Sequence, residues 1–78
     1  MKREPIVLYT QPGCTESPRV RDWLRERGIP FTERDAGADL EAARSLAEIG
    51  IFATPLLVVG DRTVLGYRPE ELAVVVGG

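Results

Sequence analysis

The sequence predicts an α/β domain with elements in the order βαβαββα, and three features carry that expectation. The run Ile6-Val7-Leu8-Tyr9-Thr10 is β-branched and apolar without alternation, as in a strand covered on both faces. A helix-spaced segment follows it and leads to a second extended segment, the pattern of a right-handed parallel crossover. Farther on, Leu56-Leu57-Val58-Val59, Gly60-Asp61 and Thr63-Val64-Leu65 read as strand, tight turn and returning strand. A chain of 78 residues cannot divide its apolar side chains between two cores, so one domain over residues 1–78 is expected.

Each element has its own signals. Gln11-Pro12-Gly13 ends the first strand with turn-forming residues. Val20, Trp23 and Leu24 then fall at helical spacing, with Arg19, Arg21, Asp22, Arg25 and Glu26 free for the wet side and Gly28 as the stop. Pro18 suits the first turn, where its missing donor has no intrahelical acceptor to lose. Cys14 is thereby placed at a helix N-terminus. Ile29–Asp35 reads as a second strand, short and near an edge because charged residues appear where a central strand is apolar. After the Ala36-Gly37-Ala38 loop, Asp39 caps a helix that turns Leu40, Ala43, Leu46 and Ala47 inward, pairs Arg44 with Glu48 outside and stops at Gly50. The last helix opens at Pro69, carries Glu70 and Glu71 at its positive end and buries Leu72, Val75 and Val76.

Composition removes whole classes of function. Ten basic and twelve acidic residues leave a net charge of −2, too balanced for the phosphate-neutralising surface that nucleic-acid binding needs. Without any His, Ser-His-Asp triads, Cys-His proteases and imidazole metal sites are excluded. The single Cys cannot form an internal disulfide or supply a multi-Cys metal cage, so no metal site is expected. A small fold without internal staples suits a reducing compartment, and the start of the chain is far short of a signal-peptide core or membrane span. A cytoplasmic monomer without membrane association is the expectation.

The chemistry centres on Cys14. Unpaired N–H groups and the dipole at a helix start favour thiolate over thiol, and the thiolate is the nucleophile. Glu16 opposes this as a nearby carboxylate, unless Arg19 or Arg21 folds back to offset it. The competing reading of Cys14 is a small buried apolar residue. Ser17 stands where a resolving cysteine would complete Cys-x-x-Cys; its hydroxyl can donate to a thiolate but cannot attack a mixed disulfide. Thr54-Pro55 reads either as a plain loop or as a cis-proline presenting the Thr54 backbone to Cys14 for pairing with an extended substrate. Trp23 is a core residue in this reading, and Asp35, Asp39 and Glu41 are caps or solvated surface.

Leu8-Tyr9-Thr10-Gln11-Pro12-Gly13-Cys14, Trp23-Leu24, Gly28-Ile29-Pro30-Phe31, Thr54-Pro55-Leu56-Leu57-Val58 and Gly66-Tyr67 together resemble glutaredoxin in order and spacing. The resemblance covers nearly the whole chain and implies a thioredoxin-like fold with a four-stranded mixed sheet and a cis Pro55 facing the nucleophile. It further implies that Cys14 attacks glutathionylated substrates with Ser17 beside it, and that Thr54 pairs with the glutathione backbone. Gln11, Pro12, Gly13, Thr15, Pro55, Gly66, Tyr67 and Arg68 are the remaining candidate substrate contacts.

The chain departs from family patterns in several places. Cys14-Thr15-Glu16-Ser17 replaces Cys-Pro-Tyr-Cys, which removes dithiol chemistry, and it is not the Cys-Gly-Phe-Ser of cluster-sharing monothiol members either. A [2Fe-2S] cluster is therefore disfavoured. Gln11 replaces a frequent Lys, and Arg68-Pro69-Glu70-Glu71 replaces paired aspartates that hold glutathione. Gly66-Tyr67-Arg68-Pro69-Glu70 is similar to the glutaredoxin-like hydrogen donor of ribonucleotide reductase, a branch that uses two thiols.

The expected function is a monothiol glutaredoxin-like thiol–disulfide oxidoreductase. It needs no tightly bound cofactor; its co-substrate is glutathione or another low-molecular-weight thiol, and protein disulfides are its further partners. The alternative is a redox-inactive thioredoxin-fold module that docks an extended peptide. An arsenate-reductase-like reading of Cys14 through Pro30 ranks lower, because the chain has no room for that branch's extra helices.

Overall fold

The computed structural model describes residues 5–51 and 53–77. Its strands are β1 (Ile6–Thr10), β2 (Thr32–Asp35), β3 (Leu56–Val59) and β4 (Arg62–Leu65), and its helices are α1 (Ser17–Glu26), α2 (Leu40–Ile49) and α3 (Pro69–Gly77). The strands form one sheet in the order β2-β1-β3-β4. The apolar run of β1 is thus interior, parallel to β2 and antiparallel to β3, while β3 and β4 close a hairpin around Gly60-Asp61. Residues 1–4, which bear the expectation about a leader, lie outside the described residues. No helix among the described residues is long and apolar enough to cross a membrane.

Alternation along the strands divides the core in two. Leu8, Leu57, Val59 and Val64 pack under α1 and α3 with Val20, Trp23, Leu24 and Leu72, and the partly buried Val75 and Val76 join them. Tyr9 and Leu56 face the other way, against Ala42 and Leu46 of α2. Because side chains alternate with period two, a one-residue slip of β1 would exchange the partners of the two faces.

Three expectations need correction. The second strand is shorter than Ile29–Asp35: pairing with β1 begins at Thr32, while Ile29 and Phe31 sit outside the strand as packing for the larger core. On α2 the buried residues are Ala42 and Leu46 and Ala43 is partly buried, whereas Leu40 is 68% exposed and Ala47 is also exposed. The small Ala42 lets the helix approach Tyr9 and Leu56, so the apolar Leu40 falls on the solvent side of the first turn. Arg44 and Glu48 form no ion pair among the described residues, both being exposed, where ordering two long side chains costs about what the pair returns. The caps of α2 follow the expectation: Asp39 accepts from the Glu41 N–H at 3.0 Å, and Gly50 ends the helix in the left-handed region.

Candidate active site

Thr10 ends β1, and the chain reverses through Gln11-Pro12-Gly13, with the Cys14 N–H donating to the Gln11 carbonyl at 3.2 Å. Pro18 then lies in the first turn of α1, whose start has no side-chain cap. The N–H groups at this uncapped helix start favour negative charge on the Cys14 sulfur. Cys14 is half-buried and its sulfur is not sealed in the core. Its Sγ–H donates to the Thr54 carbonyl at 3.4 Å, and the Thr54–Pro55 bond is cis, with Pro55 fully buried beneath it.

Burial pushes the Cys14 thiol up, but hydrogen bonds outweigh it. The Ser17 hydroxyl, the Thr54 side chain and the Ser17 and Glu16 backbone N–H groups bring it below its ordinary value. Ser17 is buried, and its Oγ has no hydrogen-bond partner. When the Cys14 proton leaves, the sulfur becomes an acceptor for a hydroxyl already beside it.

The structure gathers Cys14, Ser17, Thr54 and Pro55 directly, and ties Gly66 and Tyr67 to their neighbours by hydrogen bonds. The Gly66 N–H donates to the Pro55 carbonyl at 2.8 Å, and the Tyr67 N–H donates to Glu16 Oε2 at 3.0 Å. Tyr67 is half-buried against the larger core, and its ring borders a shallow cavity along α1 with Arg19, Asp22, Trp23 and Glu26. Gln11, Pro12, Gly13 and Thr15 line the exposed nucleophile turn. Arg68 is not drawn into the cleft; it pairs with Glu71 at 3.5 Å, with both side chains well exposed.

Neither arginine weighed as a partner of Glu16 pairs with it. Arg21 forms a bidentate pair with Glu33 at 2.7 and 2.8 Å, and the buried Thr10 hydroxyl donates to the same carboxylate at 3.2 Å. Arg19 lies over the Tyr67 ring, 5.9 Å from its centroid. Two other contacts escaped the sequence because they join distant segments. One is the Glu16 bond to Tyr67. The other is Gly37 against Pro12, where an added Cβ would stand 2.5 Å from the proline Cδ.

Known proteins fit this geometry. The family model described as Glutaredoxin matches residues 6–64. The glutaredoxin-like protein NrdH of Lactococcus lactis subsp. cremoris is 31% identical over 68 residues, covering 87% of this chain and 94% of its own. Gene 56 protein of Mycobacterium phage L5 is 34% identical over 70 residues, covering 87% of this chain and 68% of its own. Among solved structures, the glutaredoxin-like protein NrdH-redoxin from Escherichia coli has a TM-score of 0.80 at 25% identity, covering 91% of this chain and 93% of its own. Glutaredoxin from Archaeoglobus fulgidus has a TM-score of 0.81 at 23% identity, covering 96% and 88%, a likeness of thioredoxin-like fold. The matched span holds both the nucleophile turn and the Thr54–Pro55 bond, and the chain therefore belongs to the glutaredoxin family, with a resemblance to its NrdH-like members.

Proposed function

We propose that this glutaredoxin-family chain is a one-thiol thiol–disulfide oxidoreductase in which Cys14 forms a mixed disulfide with a small thiol or a protein thiol. The observation that carries the reading is the partly buried Cys14, its sulfur 3.4 Å from the Thr54 carbonyl and its thiol below the ordinary value. In the first step the Cys14 thiolate attacks one sulfur of a substrate disulfide. The Cys14–substrate bond forms, the original disulfide breaks, and the other half leaves as a thiolate that takes a proton from water. In the second step a free thiol from solution, as its thiolate, attacks the substrate sulfur of the mixed disulfide. Cys14 returns as thiolate, the substrate leaves joined to the second thiol, and the net reaction is disulfide exchange without change in the protein.

Ser17 stabilises the Cys14 thiolate before attack and again as leaving group, and Thr54 offers its backbone to an extended substrate segment. Gln11, Pro12, Gly13 and Thr15 border the approach. No resident cofactor enters these steps; glutathione, where used, is a substrate. The second thiol has a choice of sources, since Escherichia coli NrdH-redoxin is described by a thioredoxin-like activity profile. Cytoplasmic location and a monomeric state complete the proposal.

The test is to incubate the reduced protein with oxidised glutathione and weigh it. One added glutathione on the native protein and none on Cys14→Ser supports the reading; no adduct on either counts against it. A second reading, peptide docking without turnover, is favoured by Ser17 occupying the position of a resolving thiol. It predicts that Cys14 is alkylated at neutral pH no faster than a cysteine in an unstructured peptide.

A further inference from the structure

Glu16 is exposed, yet its carboxylate is held. It reaches from the nucleophile turn to the Tyr67 N–H at 3.0 Å, a link between residues 51 apart in sequence. The same oxygen sits close to Gly66, where an added Cβ would lie 3.1 Å from it and where φ is +83°, a conformation that favours glycine. Gly66 in turn donates to the Pro55 carbonyl, so the strapped segment is the one that flanks the Thr54–Pro55 peptide. From α1, Arg19 lies over the Tyr67 ring, which leaves both the backbone and the ring of Tyr67 in contact with residues that follow Cys14.

We infer that Glu16 is a positioning residue, a strap that holds the Gly66–Tyr67 wall against the nucleophile turn and so sets the width of the cleft for an extended disulfide substrate. The inference rests on the exchange reading above for its substrate and on the Tyr67 contact for its mechanism. The strap also gives the carboxylate a backbone N–H as its partner. A carboxylate two residues from a nucleophilic sulfur disfavours the thiolate when it is free to approach. The bond to Tyr67 occupies that carboxylate with a backbone donor instead.

Three variants of the full chain separate bond from charge. Glu16→Gln keeps an acceptor of the same length and loses the charge; Glu16→Asp keeps the charge but is one methylene too short; Glu16→Ala loses both. The first readout is hydrogen exchange of the Tyr67 amide. It is expected to rise about tenfold in Glu16→Asp and Glu16→Ala, the scale of one charge-assisted hydrogen bond, and by less in Glu16→Gln, which keeps a neutral bond of the same reach. The second readout is turnover with dithiothreitol as second thiol. Substrates are a cysteinyl peptide in disulfide with 2-mercaptoethanol and the small hydroxyethyl disulfide. KM for the peptide is expected to rise several-fold in the Asp and Ala variants relative to KM for the small disulfide, which does not span the wall, so that any change in the thiolate, common to both substrates, cancels in the ratio. The strap is overturned if Tyr67 exchange is unchanged in Glu16→Ala. It is also overturned if Glu16→Asp stays native while Glu16→Gln fails, or if peptide KM ignores a freed Tyr67. Absence of turnover in every protein, native included, would sink the exchange reading, and the Tyr67 amide would still decide the strap.

Discussion

On one face of the sheet, two helices cover Leu8, Leu57, Val59 and Val64 with Val20, Trp23, Leu24 and Leu72; on the other, α2 alone covers Tyr9 and Leu56 with Ala42 and Leu46. The difference assigns different tasks to the faces. The nucleophile turn runs directly into α1, whose inner residues Val20, Trp23 and Leu24 are set in the deeper layer, so the position of Cys14 inherits the rigidity of that packing. The α2 side closes the fold with little to spare. Leu65 on β4 is 43% exposed next to Gly66, beyond the reach of the single helix.

The sharpest way to break this comparison is a pair of truncations. Leu24→Ala is expected to destabilise by about 3–4 kcal/mol, because a closely packed layer collapses poorly around a cavity, and Leu46→Ala by about 2 kcal/mol. Equal shifts in the denaturant midpoint would remove the distinction between faces. Gly37→Ala probes the place where the loop before α2 touches the nucleophile turn. Its Cβ meets Pro12, so the turn must move, at a cost of about 1–2 kcal/mol, and the alkylation rate of Cys14 at neutral pH is expected to change with it. A rate identical to that of the native protein would show the two loops to be independent.

Smaller effects refine the deeper face. Glu33, held by Arg21 and Thr10, ties α1 to β2, and the Arg21 pair keeps its carboxyl below the ordinary value of 4.5 despite partial burial. A depressed carboxylate contributes stability that is fully present above its unfolded value and lost as pH falls through the folded one. Glu33→Gln is therefore expected to cost about 1 kcal/mol at neutral pH and to flatten the acid side of the stability profile below 4.5, read by thermal melts across pH. Ser17→Ala removes a donor from the thiolate, so the Cys14 thiol moves up and its alkylation near neutral pH slows about threefold. The smallest effect is on the shallow face: Leu40→Lys, on a side chain 68% exposed, is expected to shift stability by no more than about 0.5 kcal/mol.

Element order, the parallel crossover, the hairpin and the caps of α2 were legible in the sequence because each rests on neighbours in the chain. Short continuous apolar runs, a Pro in a first turn, an Asp before a helix and a Gly after one act within a few residues. The candidate site was legible in the same way: Cys14 precedes a helix whatever else the fold does, and the glutaredoxin motifs stand intact at Tyr9–Cys14 and Thr54–Pro55.

What only the tertiary structure decided was pairing at a distance. The phase of α2 was open to more than one reading, because Leu40, Ala42, Ala43, Leu46 and Ala47 offer overlapping stripes; closeness to Tyr9 and Leu56 selects Ala42 and Leu46. The partner of Glu16 was open too. Arg19 and Arg21 lie within reach along the helix, yet one meets an aromatic ring and the other a strand carboxylate, and the free acceptor goes to an amide 51 residues away. Local chemistry lists the groups that need partners. Which partner each receives depends on where the sheet and helices bring distant segments together, and the composition of the chain holds no record of that.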